Sequence, residues 1–147
     1  MQKLIPPVLV LASILGMSAL NWFYPVRKLI AFPFNLIGVF IAIIGILMVR
    51  WGERRFSKAK TNISTFNNPN RMITDGLFQY SRNPIYLGFT IALLGVAIGL
   101  GSLAPFCLVL VFFIAANYWY IPFEERKMER IFGASYLRYK RNVRRWL

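Results

Sequence analysis

The chain has 147 residues, 57% of them hydrophobic and 16% aromatic, and a formal net charge of +13. So apolar a chain is not an ordinary soluble domain. With no histidine, a single cysteine (Cys107) and five acids, it lacks the usual general base, an intrachain disulfide and the makings of a metal site.

The charge is concentrated. Residues 50–82 and 124–145 hold most of the Lys and Arg, while the rest consists of long uncharged runs. Membrane proteins distribute charge in this way. Basic segments beside apolar spans point to anionic lipid headgroups as their partner, and not to nucleic acid.

Four apolar segments follow in chain order, at about 4–23, 29–51, 84–100 and 103–121. Each approaches the roughly 20 residues with which a helix crosses about 30 Å of hydrocarbon. The expected fold is an all-α integral membrane protein, a single membrane domain over 1–147 with about four transmembrane helices, a cytoplasmic amphipathic loop and C-terminal helices. Lys3 ahead of the first segment imitates a signal peptide. Its apolar part is too long and "NWFYP" is a poor cleavage site, so it reads as a retained helix. The third segment is the shortest, and only "GLGS" links it to the fourth, which makes the two antiparallel neighbours. The first loop holds only Arg27 and Lys28, and "GLGS" holds no charge. The positive-inside rule then places both termini and the two basic segments in the cytoplasm.

The loop "GERRFSKAKTNISTFNNPNRMITDG" begins as a basic extension of the second helix and becomes turn-rich near "NNPN". Asn62-Ile63-Ser64 fits a glycosylation sequon, but a cytoplasmic loop makes that a chance match. After Ile121, Pro122 suits a helix start, with Glu124 and Glu125 in the favourable first turn. Gly133 is the expected end of that helix, and Ser135 the expected cap of a last one carrying "YLRYKRNVRRWL".

Small residues recur at helical spacing. Gly88, Ala92, Gly95 and Gly99 form a stripe on the third helix, and Gly38, Ala42 and Gly45 another on the second. Close helix packing explains both, with a ligand groove near Gly88 as the sharper alternative. In "SRNP", Pro84 fits a first turn, Asn83 an N-cap, and Arg82 can reach headgroup phosphates. Both this cluster and "EE" stand at the cytoplasmic ends of the third and fourth segments. Folding that hairpin brings Arg82, Asn83, Tyr86, Glu124 and Glu125 to one level, a default ligand site at a membrane edge.

Taken together, "TDGLFQYSRNPIYLG" and "EERKMERIFGASYLRYKRNVRRWL" resemble the isoprenylcysteine carboxyl methyltransferase and phospholipid methyltransferase superfamily, and the chain looks like its short bacterial members. The shared pattern is R-[HN]-P-x-Y-x-G, a Glu-Glu pair, and an F-G-x-x-Y-x-x-Y tail, here over about 74–147. The resemblance implies an enzyme of a bacterial inner membrane with S-adenosylmethionine as cofactor. Phe78, Tyr80, Asn83, Pro84, Tyr86 and Gly88 would form one wall of its pocket, Glu124 and Glu125 the other, and Tyr136 would close over the nucleoside. Members acting on prenylated cysteine usually have His where Asn83 stands, so the departure leaves the methyl acceptor open between carboxyl and amine.

Methyl transfer from a sulfonium needs alignment more than acid–base equipment, so the lack of histidine and metal is no handicap. A lipid or lipidated acceptor would enter from the bilayer. Arg82 is the expected catalytic anchor of an acidic acceptor, and Glu125 the expected base for an amine. Two other readings are an NADPH-dependent sterol-type membrane reductase, whose C-terminal pattern is similar, and a non-catalytic headgroup-binding protein.

Overall fold

The computed structural model describes residues 5–24, 27–61 and 68–147; the Asn62 sequon and Leu4 lie outside them. Among the described residues the regular structure is helical, as expected. Helix α1 covers Pro6–Phe23, α2 Ile37–Lys58, α3 Pro84–Leu100, α4 Ala104–Ala115, α5 Ile121–Phe132 and α6 Ala134–Asn142. A π turn, Ala116–Tyr120, joins α4 to α5, and a 3₁₀ turn, Gly76–Gln79, leads toward α3.

Three of the four apolar segments form helices long and apolar enough to cross a membrane: Pro6–Phe23, Phe34–Lys58 and Ala104–Phe132. The exception, α3, has 17 residues, about 25 Å at 1.5 Å per residue. It is bounded by Pro84 at its first turn and by Gly101, whose φ of 73° ends the helix in the left-handed region.

The second segment departs from its expected bounds at its start. Residues 28–30 do not start a helix. Lys28 forms an antiparallel bridge with Ser102, and the N–H groups of Leu29 and Ile30 both donate to the Gly101 carbonyl. Asn35 Nδ2 reaches the Gly99 carbonyl at 3.1 Å, and Ser102 Oγ donates to Asn21 Oδ1 at 2.7 Å. The weakly charged first loop and the "GLGS" link thus meet at one end of the bundle. At its other end α2 continues to Lys58 as the expected basic extension, helped by Glu53, Arg54, Arg55 and Lys58 and by an Arg50–Glu53 pair three residues apart.

Helix packing consumes the glycine stripes. A Cβ built on Gly38 would collide with the Gly95 carbonyl, one on Gly45 with the Ala92 backbone, and one on Gly95 with the Ala42 backbone. The stripes of α2 and α3 therefore face each other with backbones in contact, where dispersion between closely approaching chains replaces the hydrophobic effect. Beyond this seam, a buried cluster of Met17, Tyr86, Leu93, Phe112, Ala116, Tyr120 and Ile121 ties α1 and α3 to the long helix.

Pro122 stands in the first turn of α5, as expected, but α5 continues α4 without a break, in one helical run over Ala104–Phe132. A helix-interior proline removes one N–H and clashes with the carbonyl four residues back. The π turn immediately before it widens the helix and absorbs that clash. Gly133, with φ 50°, ends α5 as expected. The cap position of α6 is also Gly133 and not Ser135, with no side-chain cap bond.

Candidate functional site

At the end of the bundle opposite "GLGS", the starts of α1 and α3, the end of α2, the first turns of α5, and α6 enclose a cavity of about 340 Å³. Its volume falls near the lower end of the roughly 300–1,000 Å³ of small-molecule sites. Apolar walls from Ile5, Pro6, Ile73, Ile85, Phe89 and Met128 alternate with the polar groups of Arg82, Tyr86, Glu124 and Tyr139.

The two sequence clusters face each other across this space. Tyr86, on the first turn of α3, donates its hydroxyl to Glu124 Oε1 at 2.8 Å. Arg82 Nη2 lies 2.9 Å from Glu125 Oε1, with their side chains 8% and 5% exposed. Of the expected site residues, Phe78, Arg82, Asn83, Pro84, Tyr86, Glu124, Glu125 and Tyr136 all line the cavity.

Two others do not. Tyr80 is 69% exposed and outside the lining. Gly88 points away into the seam with α2, where a Cβ would sit 2.8 Å from the Gly45 carbonyl. It is a packing residue and opens no groove.

Three expected roles also change. Arg82 does not reach outward for phosphates: its Nη1 donates to the Lys140 carbonyl at 3.1 Å, and Glu125 takes Nη2. Asn83 occupies the N-cap position of α3 but makes no side-chain cap bond; its Nδ2 donates to the Arg145 carbonyl at 2.9 Å. Glu125 is not a free carboxylate. Arg82 and the Arg145 Nε (3.4 Å) converge on Oε1, while Arg145 Nη2 (2.9 Å) and Lys140 Nζ (3.6 Å) converge on Oε2. Those four contacts match the lone-pair capacity of a carboxylate.

Phe78 is set in place by α2. It packs edge-on against Phe56 and tilted against Trp51, with centroids 5.8 and 6.2 Å apart. Gly76 makes this approach possible, since its φ of 61° is left-handed and a Cβ would collide with the Trp51 ring. The Phe78 carbonyl accepts the Tyr139 hydroxyl at 2.6 Å. Burial pushes the Tyr139 phenol up to about 12, against the opposing pull of Arg82. Burial also raises Tyr136, with Glu125 reinforcing the shift. Both shifts oppose ionisation, and the Tyr139 donor is committed to the Phe78 carbonyl.

The sequence did not point to Arg145, Trp146 and Asn117. Trp146 Nε1 donates to Asn117 Oδ1 at 3.0 Å, and its ring stacks on Phe113. Asn117 carried one usable signal, an amide inside an apolar run, which is a functional or structural marker by default. Arg145 carried none, standing beside an equally basic Arg144.

Comparison with known proteins accords with this geometry. A family model described as phospholipid methyltransferase matches residues 33–135 and so takes in both walls of the cavity. The chain belongs to the phospholipid methyltransferase family. Membership, together with three membrane-length apolar helices, makes this family member an integral membrane protein. It is 31% identical over 127 residues to the protein-S-isoprenylcysteine O-methyltransferase of Schizosaccharomyces pombe, an alignment covering 84% of this chain and 50% of that protein. The chain thus spans half the length of that curated relative. It is also 38% identical over 63 residues to an uncharacterized protein of Haemophilus influenzae, covering 43% of this chain and all of that protein. No solved structure matches.

Proposed function

We propose that this phospholipid methyltransferase family member is a membrane-embedded, S-adenosylmethionine-dependent methyltransferase whose acceptor is a lipid or an isoprenoid-linked molecule. The observation that carries this reading is the meeting of Tyr86 with Glu124, beside Arg82 with Glu125, across one cavity at the end of the bundle.

The residues present fit the cofactor. Arg82 Nε is buried and without a hydrogen-bond partner, on a side chain that lines the cavity, so it has a donor to offer an acidic or carbonyl group. Glu124 and the ring of Tyr86 offer negative charge and a π face to a cationic sulfonium. Phe78, Tyr136 and Tyr139 offer flat aromatic surface to a nucleoside. When bound, S-adenosylmethionine supplies an activated methyl group.

The chain's own residues then align and dry the site. Arg82, held by Glu125 and the Lys140 carbonyl, is an orienting group in this reading, with Nε the nitrogen that has no partner. Glu125, ringed by cations, positions Arg82 and removes no proton. If the acceptor is an amine, Glu124 is the better-placed carboxylate. If it is an acid or phosphate lipid, Arg71 is the better anchor than Arg82. Arg71 lines the cavity and is exposed, its backbone is fixed by bonds at Thr61 Oγ1, and its guanidinium has no carboxylate partner among the described residues. Apolar walls continuous with the bilayer would let the acceptor's tail enter sideways, with anionic headgroups around the basic α5 and α6. The positive-inside pattern supports placing this end in the cytoplasm.

The test is incubation of the purified protein with methyl-labelled S-adenosylmethionine and total membrane lipids. A labelled lipid is the expected product, base-labile if an ester and stable if an amine. No transfer, and no binding of S-adenosylhomocysteine, would overturn the reading.

A further inference from the structure

Residues 143–147 do not leave the bundle after α6 but return across the cavity's polar wall. At one side they hold the approach to α3. The Arg82 N–H donates to the Arg144 carbonyl at 2.9 Å, and the Arg145 carbonyl accepts Asn83 Nδ2 at 2.9 Å and Ser81 Oγ at 3.4 Å. At the other side they enter the π turn.

That turn has a vacancy in its backbone bonding which the sequence dictates. The Ile121 N–H donates to the Ala116 carbonyl, five residues back. The next bond in this register would run from residue 122 to the Asn117 carbonyl, and Pro122 has no N–H. Arg145 Nη1 supplies a donor instead, 3.5 Å from that carbonyl and 3.5 Å from Asn117 Oδ1. The remaining nitrogens of the same guanidinium grip Glu125, with Nη2 at 2.9 Å from Oε2. Only a planar fork with several fixed donors serves a carbonyl and a carboxylate together. Trp146 fastens the neighbouring position through its bond to Asn117 and its stack on Phe113 at 4.8 Å.

We propose that Arg145 is a positioning residue: by docking residues 144–146 into the π turn it holds Arg82, Asn83 and Glu125 in one wall, and the wall is ordered only while that segment is docked. The functional part of this inference rests on reading the cavity as a cofactor site. The family match ends at residue 135, so it assigns this segment no role.

Three variants of the full chain in detergent test it: Arg145→Lys, Arg145→Ala and Trp146→Phe. Lysine keeps the charge on Glu125 but loses the bridge to Asn117, and phenylalanine keeps the stack but loses the donor. Amide hydrogen exchange over 81–83 and 117–125 reads the wall, calorimetry with S-adenosylhomocysteine reads the site, and thermal melting reads the fold. The expected result for Arg145→Lys is faster exchange at the Arg82 amide and about tenfold weaker binding, with a melting transition retained. Trp146→Phe moves both readouts the same way by less. Unchanged exchange and affinity within about twofold in Arg145→Lys overturn the proposal, as does faster exchange confined to 143–147 with binding intact. If Arg145→Ala fails to fold, the other two variants decide. If the wild-type protein binds no S-adenosylhomocysteine, the cofactor reading falls by itself, and exchange over 81–83 still decides the docking.

Discussion

Tyr86 and Glu124, 38 residues apart in sequence, meet in a 2.8 Å bond from phenol to carboxylate that spans the two walls of the cavity. The acceptor is ionised, so the bond is stronger than a neutral one. It also fixes the Glu124 carboxylate on the cavity wall, where it offers negative charge to a cationic ligand.

Tyr86→Phe keeps the ring and removes the donor. The expected outcome is a fall in S-adenosylhomocysteine affinity of about fivefold, with stability lowered by about 1–2 kcal/mol. Calorimetry and thermal melting on the same preparation separate the two effects. Unchanged affinity would mean that Glu124 needs no support from Tyr86.

Glu125→Gln is expected to be the more damaging change. It leaves Arg82, with a side chain only 8% exposed, beside Arg145 and Lys140 with no anion between them. Removing one partner of a buried ion pair costs about 3–5 kcal/mol, less whatever bonds the amide retains. A melting temperature within a few degrees of wild type would show that the cluster is not needed for the fold.

The α2–α3 seam gives a contrast within one helix. Gly95→Ala places a Cβ onto the Ala42 backbone, whereas at Gly99 a Cβ meets nothing within 4 Å. The first substitution is expected to destabilise by about 1–3 kcal/mol or more, through overpacking. The second should be neutral or stabilising by up to about 1 kcal/mol, since alanine is the better helix former. Equal yields and melting temperatures for the two would refute the backbone contact.

Stability should also fall in alkali. Free phenols ionise near pH 10, while the folded state holds Tyr139 protonated up to about 12 and raises Tyr136 as well. Above pH 10 the unfolded chain binds fewer protons than the native one, so the contribution present below pH 10 is lost as pH rises through about 12. Tyr139→Phe should show a shallower decline over that window. An identical slope would remove Tyr139 from the account.

Arg71→Gln tests the acceptor. With an acidic or phosphate lipid, KM should rise about tenfold while S-adenosylhomocysteine binding stays constant, the signature of a lost charge-assisted contact to one substrate. An unchanged KM would return the choice to an amine acceptor.

The sequence by itself determined the membrane setting, the helical class, and the level at which "SRNPIY" and "EE" stand. Apolar length, small-residue spacing and the placement of Lys and Arg are local properties that survive without knowledge of neighbours. It also placed the pieces of a small-residue seam, though not which stripe faces which. Only the tertiary structure decided how the polar groups are spent. Arg82, Asn83 and Glu125 each had a reasonable local role, as snorkelling arginine, cap and base, and each is held by a partner brought from elsewhere in the chain. Asn83 and Glu125 share Arg145, and Arg82 takes Lys140 and Glu125. A side chain held by a partner from across the fold no longer points where its local role would need it. The same holds for Pro122, which reads as a helix start and acts as the missing donor that calls in Arg145.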